Sequence, residues 1–457
     1  MAQRVNPILN TDSYKPSHWL QYPPGTEKVY SYIESRGGVY DRTVFAGLQP
    51  YLKEYLSTPV TVEDVLEAEE FFKIHGEPFN KQGWLDMISE HGGYFPVRIR
   101  AVKEGTVVPT NNVLVSVENT DPKFFWATSY IETTILRAVW YMTSVATVSW
   151  SIKQLIKQFL DETGDPDSIA FKLHDFGARG VSSFESSGLG GAAHLINFMG
   201  SDNIAGILAA RQYYNEPMAG FSIPAAEHSS ITSWGRDREV DAYRNMLNQF
   251  AKPGALLAVV SDSYDILNAC DMWGRDLKQQ VVESGAVVVV RPDSGTPETI
   301  VLDVVGRLDQ WYGSEVNTKG YKVLNNIRVI QGDGINEDSI REILQNLKNA
   351  GYSADNVAFG MGGALLQHVN RDTQKFAMKA SAALINGEWV DVFKDPVTDS
   401  GKRSKKGRLA LIKDGSTGEF KTVQNPDDLD SFLEIVWENG ELKRDQTFAE
   451  IRAISNM

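Results

Sequence analysis

Seven short apolar runs in this chain each end in polar or glycine-rich residues that could do chemistry. Residues 174–180 read HDFGARG, 200–202 GSD, 224–229 PAAEHS, 261–265 SDSYD, 291–295 RPDSG, 331–334 QGDG and 360–363 GMGG. Asp293 and Asp333 follow consecutive runs, beside glycines that would let a ligand approach the backbone. Such a pair can hold sugar hydroxyls or a hydrated Mg2+, serve as the acid and nucleophile of a glycosidase, or cap helices. Arg179 and Arg291 suit an anionic or flat aromatic ligand, because guanidinium both pairs with phosphate and stacks; a structural ion pair is the bland alternative. His228 follows Glu227, and none of the seven histidines has a metal-binding spacing such as H-E-x-x-H. It is therefore either a buried, hydrogen-bonded histidine or a catalytic one. The glycines of 360–363 lead into a helical pattern over 364–370, with Arg371 close behind. A strand–glycine–helix turn presents backbone N–H groups to an anion, usually phosphate, or is a plain tight turn. Residues 402–408, KRSKKGR, are the one basic run, a polyphosphate clamp or a solvated loop.

These residues need a frame that brings chain-distant loops together. The runs at 169–173, 195–198, 221–223, 256–260, 286–290, 327–330 and 357–359 are short and nearly free of polar residues, as strands covered on both faces are. Between most of them lie helical patterns. Pro297 opens one, with Ile300, Val301, Val304, Val305, Leu308 and Trp311 on one face. Asn336 caps another, with Ile340, Ile343, Leu344 and Leu347 inward and Gly351 as stop. The class is α/β, and residues 166–379 are expected to form an irregular βα barrel. The polar clusters then fall on the face of the barrel that carries catalysis, with the glycine loop at the late-strand phosphate position. Residues 1–165 and 380–457 mix β-like and helical stretches and are expected to form a second, α+β domain from both chain ends.

The chain has 457 residues and 45 Lys+Arg against 59 Asp+Glu, a formal charge of −14. That field repels phosphate, so nucleic acid and anionic membrane are poor general partners, and any phosphorylated ligand needs a local cationic cluster. The single cysteine, Cys270, excludes an intramolecular disulfide and suits a reducing cytoplasm. The first residues lack the apolar run of a signal peptide. The most apolar stretch, 131–152, carries Glu132 and Arg137 and reads as buried helix.

Residues 10–15 (NTDSYK), 30–36 (YSYIESR), 174–180, 224–229, 260–265, 291–295, 331–334 and 402–408, in that order along nearly the whole chain, resemble the nicotinamide phosphoribosyltransferases, of the type II phosphoribosyltransferase superfamily. The acidic-acidic-x-x-x-x-T-G loop of Rossmann-like phosphoribosyltransferases is not matched. The resemblance implies a pentosyltransferase of NAD salvage: nicotinamide displaces pyrophosphate from phosphoribosyl pyrophosphate to give nicotinamide mononucleotide. It implies Mg2+, stimulation by ATP through a phosphohistidine, and a homodimer with sites at the interface. Carried over by position, Phe176 and Tyr14, the latter from the partner subunit, would sandwich the pyridine ring. Asp202 would accept from the carboxamide and repel nicotinate, which is an anion. Arg291 and Arg179 would contact ring and phosphate. Asp293, Asp333 and Gly332 would bind ribose, with Gly362 and Gly363 on the 5′-phosphate. Arg36, Arg371, Lys379, Lys394 and Lys402 would take pyrophosphate and ATP phosphates, and Ser261, Ser222 and His174 would complete the ribose and phosphate contacts. His228 matches the phosphorylated histidine, with Glu227 and Asp265 to orient it.

Three positions depart from the family's usual residues. Ala178 stands for Tyr, Met361 for Ser and Ala364 for Gly, and the loop after Arg36 is short; these bear on the tunnel behind the ring. Other readings of the chain are a nicotinate phosphoribosyltransferase, which Asp202 opposes, a glycosidase, for which the phosphate-binding features are superfluous, and a non-catalytic protein keeping the fold, which the full set of polar clusters opposes.

Overall fold

The computed structural model describes residues 4–395, 404–425 and 430–457. It forms two compact units: Met1–Thr147 with Gln212–Glu216 and Val369–Met457, and Val148–Arg211 with Pro217–His368. The first division falls between Thr147 and Val148, inside the 32-residue helix Glu132–Thr163, and not at the 165 expected from the pattern. The second falls before 380, because the strand Phe376–Ile385 pairs antiparallel with Thr26–Ser35 along its length and so lies wholly in the first unit.

The first unit is built on a seven-stranded antiparallel sheet. Its order is Glu388–Asp391, Phe376–Ile385, Thr26–Ser35, Val113–Asn119, Val97–Ala101, Glu434–Glu438 and Glu441–Leu442. Segments near both chain ends thus meet in one sheet. Helix Val62–His75 covers part of its core. Thr61 and Asp64 form a capping box at its start, and Gly76, at φ +94°, ends it. Val65, Ala68 and Phe72 from that helix join Trp84, Tyr32 and Val115 in a single apolar core.

The second unit holds six parallel strands in the order Gly200–Ser201, Leu173–Asp175, Val357–Met361, Ile327–Gln331, Val287–Arg291 and Leu256–Val260. The sheet curls, and residues 221–225 link its two edges. Phe221 bridges Gly200 and Ala225 bridges Ala258, both in parallel sense. This is an irregular α/β barrel whose seventh member is reduced to those bridges. The helix Pro297–Tyr312 buries Val301, Val304, Val305, Leu308 and Tyr312. Asn336 caps Glu337–Asn349 by accepting from the N–H groups of Asp338 and Ser339, and Ile340, Ile343, Leu344 and Leu347 face inward. Each such side chain contributes about 1.5–3 kcal/mol by leaving water.

Two apolar runs are not the strands their composition suggests, and one expected helix is shorter. Residues 195–198 lie at and beyond the end of helix Phe184–Leu195, and the strand begins at Gly200. A short apolar run does not distinguish buried helix from strand. Residues 169–171 belong to a 3-10 turn, Pro166–Phe171, capped by Asp165, ahead of strand Leu173–Asp175. The helix expected over 364–370 is one turn, Gly363–Leu366, because Asn370 caps a new 3-10 turn at Arg371–Thr373. No helix among the described residues is long and apolar enough to cross a membrane.

Candidate active site

Alternation along the barrel strands turns every second side chain inward. His174, Phe176, Ala258, Val289, Arg291 and Ile330 line a cavity of about 600 Å3 together with Asp202, Phe221, Ser222 and Ile223. The Phe176 ring lies on two glycines of neighbouring strand ends. A Cβ on Gly360 would stand 2.0 Å from its Cε2, and one on Gly332 would stand 3.1 Å away. Those glycines are the floor of an aromatic platform; a side chain at Gly360 would evict the ring, and one at Gly332 would press on it.

Asp202 lines the same cavity, on the loop after Gly200–Ser201. Ser222 Oγ donates to its Oδ1 at 2.6 Å, which leaves Oδ2 open for a second donor. Ser222, expected on ribose or phosphate, is thus engaged by the acid that would read a carboxamide. His174 is also in the lining; its Nε2 lies 3.0 Å from Phe171 O. Burial, opposed by the nearby Asp202 carboxylate, pushes its imidazole below the ordinary histidine range, which favours the neutral ring. Arg179 is exposed on the turn after Phe176, outside the cavity lining.

Arg291 Nη2 lies 3.5 Å from Asp293 Oδ2, and its buried Nε has no protein acceptor among the described residues. His228 opens helix His228–Thr232. Its Nε2 is 2.8 Å from Asp262 Oδ1, and its Nδ1 is 4.0 Å from Asp293 Oδ2. One ring nitrogen is held by a carboxylate and the other is left toward the Asp293 side. A carboxylate that fixes one nitrogen makes the other a better nucleophile.

Asp262, not the expected Glu227 or Asp265, orients His228. Asp265 caps helix Ile266–Arg275, accepting from Leu267 N at 3.0 Å and Asn268 N at 3.1 Å. Glu227 accepts from Ser229 Oγ, and its N–H donates to Ser230 Oγ, so it serves the turn that starts its own helix. Ser261 is likewise outside the cavity. It is fully buried, donates to Val259 O at 3.0 Å and accepts from Trp273 Nε1 at 3.1 Å. Leu256 and Ala258 face the cavity, whereas Ser261, Asp262 and Asp265 follow the end of the strand at Val260 and lie outside the lining.

Asp333 is exposed, and Gln331 Nε2 donates to its carbonyl at 2.9 Å. Gly332 lies beside Asp293, since a Cβ there would come within 3.6 Å of Asp293 Oδ1. Two hard carboxylates at adjacent strand ends, both reached by solvent, fit a hydrated Mg2+. At the glycine loop, a Cβ on Gly362 would meet only Phe176 O at 3.7 Å, and one on Gly363 only His368 Nε2 at 3.8 Å. The space in front of these backbone groups is open.

The first unit carries its own cationic group. Arg36 Nε pairs with Glu34 at 3.3 Å, and Lys405 Nζ pairs with the other oxygen of Glu34. The buried Arg36 Nη2 has no acceptor among the described residues. Lys379 sits across the sheet opposite Tyr32. Burial first, and then the positive neighbours Arg36, Arg371 and Lys15, push its ammonium down, against the pull of Glu132. Cations held together with an unpaired donor fit an anionic ligand. Lys394 is exposed, and its backbone exchanges hydrogen bonds with Ser404. Lys402 lies outside the described residues.

Tyr14 is 51% exposed. Its segment is pinned to helix Glu132–Thr163 by Lys15–Glu132 at 2.5 Å, Thr133–Asp12 at 2.6 Å and Arg137–Asn10 at 2.7 Å. Of the departures noted above, Ala178 is exposed, Met361 is buried with its carbonyl accepting Phe176 N, and Ala364 lies in the single turn Gly363–Leu366.

Composition and periodicity do not point to the other end of the cavity, which holds Lys172, Arg328 and Asp355. Lys172 Nζ donates to the carbonyls of Ala354, Asp355 and Val357 at 3.1–3.2 Å, and burial lowers its pKa to about 8.

The family model described as nicotinate phosphoribosyltransferase (NAPRTase) matches residues 171–441, and that of the nicotinamide phosphoribosyltransferase N-terminal domain matches residues 6–99. A nicotinamide phosphoribosyltransferase of Xanthomonas campestris pv. campestris is 58% identical, over 98% of this chain and 97% of that protein. One of Acinetobacter baylyi is 32% identical, over 99% and 97%. The solved structure of nicotinate-nucleotide pyrophosphorylase from Pyrococcus furiosus aligns with a TM-score of 0.65 at 17% identity, covering 100% of this chain and 96% of that one; it is similar in fold.

Proposed function

The chain belongs to the nicotinate phosphoribosyltransferase family, and from that membership and its site we infer a nicotinamide phosphoribosyltransferase of NAD salvage. The reaction joins the ring nitrogen of nicotinamide to C1 of phosphoribosyl pyrophosphate and breaks the bond from C1 to the pyrophosphate oxygen. That nitrogen is already a nucleophile, so no strong base is required. The barrier is departure of pyrophosphate from an oxocarbenium-like carbon, which positioning and charge neutralisation lower.

The observation that carries the choice of pyridine is Asp202. Its carboxylate, with one oxygen taken by Ser222, accepts from a carboxamide NH2 and repels a nicotinate carboxylate. We assign Phe176 to one face of the ring and the exposed Tyr14 to the other, from a second copy of the chain. Exposed Phe184, Ile204 and Leu208 of the barrel unit and Leu20 of the first unit support association as a homodimer. Arg291 and Arg179 serve the ring and phosphate, Asp293 and Asp333 the ribose, and Gly362 and Gly363 the 5′-phosphate. Arg36, Arg371, Lys379, Lys394 and Lys402 take the pyrophosphate and ATP phosphates. Asp293 and Asp333 would hold Mg2+, which neutralises charge on the leaving group. His228, held by Asp262, accepts the phosphoryl group that couples ATP to synthesis. Cys270, buried and pushed up to about 12 chiefly by burial, is unreactive, and a chain with a single thiol suits the cytoplasm.

Pyrophosphate release from phosphoribosyl pyrophosphate and Mg2+, compared for nicotinamide and nicotinate with and without ATP, tests this. Release with nicotinamide alone, raised by ATP, is expected. Preference for nicotinate would overturn the role of Asp202, and indifference to ATP would remove His228 from the mechanism.

A further inference from the structure

Asp175 stands between two cavity residues, His174 and Phe176, and strand alternation turns it outward, behind the site. It is fully buried, and no lysine or arginine pairs with it among the described residues. Its hydrogen bonds run to both halves of the pyridine pocket. Oδ1 accepts from Gly177 N at 2.7 Å, just past the Phe176 ring, and Oδ2 accepts from Asn203 Nδ2 at 2.9 Å. Its carbonyl accepts from Asp202 N at 3.0 Å.

Asn203 is locked in turn. Its Nδ2 also donates to Ser187 O at 2.9 Å, and its Oδ1 accepts from Ser187 Oγ at 3.0 Å. Helices Phe184–Leu195 and Ile204–Tyr214 pack closely here. A Cβ on Gly191 would stand 2.7 Å from Asn203 Nδ2 and 3.2 Å from Asp175 Oδ2. An acid buried without a cation is costly; burial, with a smaller push from Asp202, raises this one to about 6. A hydrophobic residue would fill the same space without that cost. What an ionised carboxylate adds is two acceptors on one rigid group, each facing an N–H donor.

We propose that Asp175 is a positioning residue for substrate selection, tying the Phe176 platform and the Asp202 carboxylate to one another from behind the sheet. This rests on the assignment of Phe176 and Asp202 to the pyridine. Asparagine at 175 has one acceptor and one NH2, so one of the two donors now facing Asp175 would face another donor. The platform and the acid then move independently.

The test is steady-state kinetics of Asp175→Asn in the full-length enzyme, alongside Asn203→Ser and Asp202→Asn. For Asp175→Asn, KM for nicotinamide should rise about tenfold, as expected for one lost buried hydrogen bond, and preference over nicotinate should fall by about as much. KM for phosphoribosyl pyrophosphate should stay within about twofold, the spread of near-neutral substitutions. Asn203→Ser, which frees Oδ2 and the Ser187 partners of Asn203 but spares the Oδ1 bond to Gly177, should move the same two quantities in the same direction, and it decides the matter if Asp175→Asn does not fold. If both variants lower kcat alike for the two pyridines and leave preference unchanged, Asp175 is a packing group and the proposal falls. If Asp202→Asn shifts preference while both of the others keep it, the pocket stands and only the role of Asp175 is refuted. If Asp202→Asn itself changes nothing, the assignment of the pyridine pocket fails first.

Discussion

Gly360→Ala should dislodge the ring that receives the substrate. Gly360 pairs in register with His174, on the strand beside the one that delivers Phe176. A Cβ there would lie 2.0 Å from Phe176 Cε2, 2.1 Å from Cδ2 and 2.7 Å from Cζ. Ordinary carbon contact begins near 3.4 Å, so the ring must retreat by 3.4 − 2.0 = 1.4 Å. It cannot do so by sliding its own backbone, because Phe176 N is bonded to Met361 O at 3.0 Å and Gly177 N to Asp175 at 2.7 Å. The side chain must leave its rotamer or the strands must part, and such overpacking costs about 1–3 kcal/mol of stability. Loss of ring stacking is worth about 0.5–1.5 kcal/mol, or roughly 2- to 13-fold in KM for nicotinamide. A nucleophile misplaced by about 1 Å can cost up to roughly 100-fold in kcat. The assay is initial-rate kinetics with each substrate varied in turn, with a thermal melt on the same samples. KM for phosphoribosyl pyrophosphate should change least. Gly332→Ala, whose Cβ would meet the ring at 3.1 Å, should show the same pattern more weakly. A Gly360→Ala enzyme with unchanged nicotinamide KM and kcat would refute the platform.

Gly306→Ala, in the interior of helix Pro297–Tyr312 where a Cβ meets nothing within 4 Å, should stabilise the protein by about 0.5–1 kcal/mol in a denaturant titration, with kinetics unchanged. Asp262→Ala should abolish ATP stimulation while sparing basal synthesis, whereas Asp265→Ala should keep the coupling and cost about 1 kcal/mol of stability through its lost cap; the reverse outcome in coupled assays would restore Asp265 as the partner of His228. Lys172 has a native pKa of about 8 against 10.5 when unfolded. The unfolded chain therefore holds the extra proton in that window, and stability relative to Lys172→Met should rise by about 3 kcal/mol from pH 8 to pH 10.5. A flat difference across that window would mean the ammonium stays charged on its three carbonyls.

Much of this protein is written locally. Helix starts at Pro297 and Asn336, the inward faces that follow them, and the placing of polar clusters after apolar runs are short-range matters of backbone geometry and burial, so the pattern alone predicts a βα barrel with its chemistry at the strand ends. The order of motifs also sufficed to suggest the family. Tertiary structure decided what periodicity cannot carry. Residues 221–225 became a bridge and 195–198 the end of a helix, because a run of four apolar residues is satisfied by either burial. Ser261, Asp262 and Asp265 are equally polar and nearly adjacent, yet one packs on Trp273, one holds His228 and one caps a helix. Which of them does which depends on the direction each side chain leaves the backbone and on what the rest of the fold places there. The same holds for Gly360 and Asp175. A glycine is needed only because a ring 184 positions earlier lies against it, and an acid only because two loops, separate in sequence, present their donors to it.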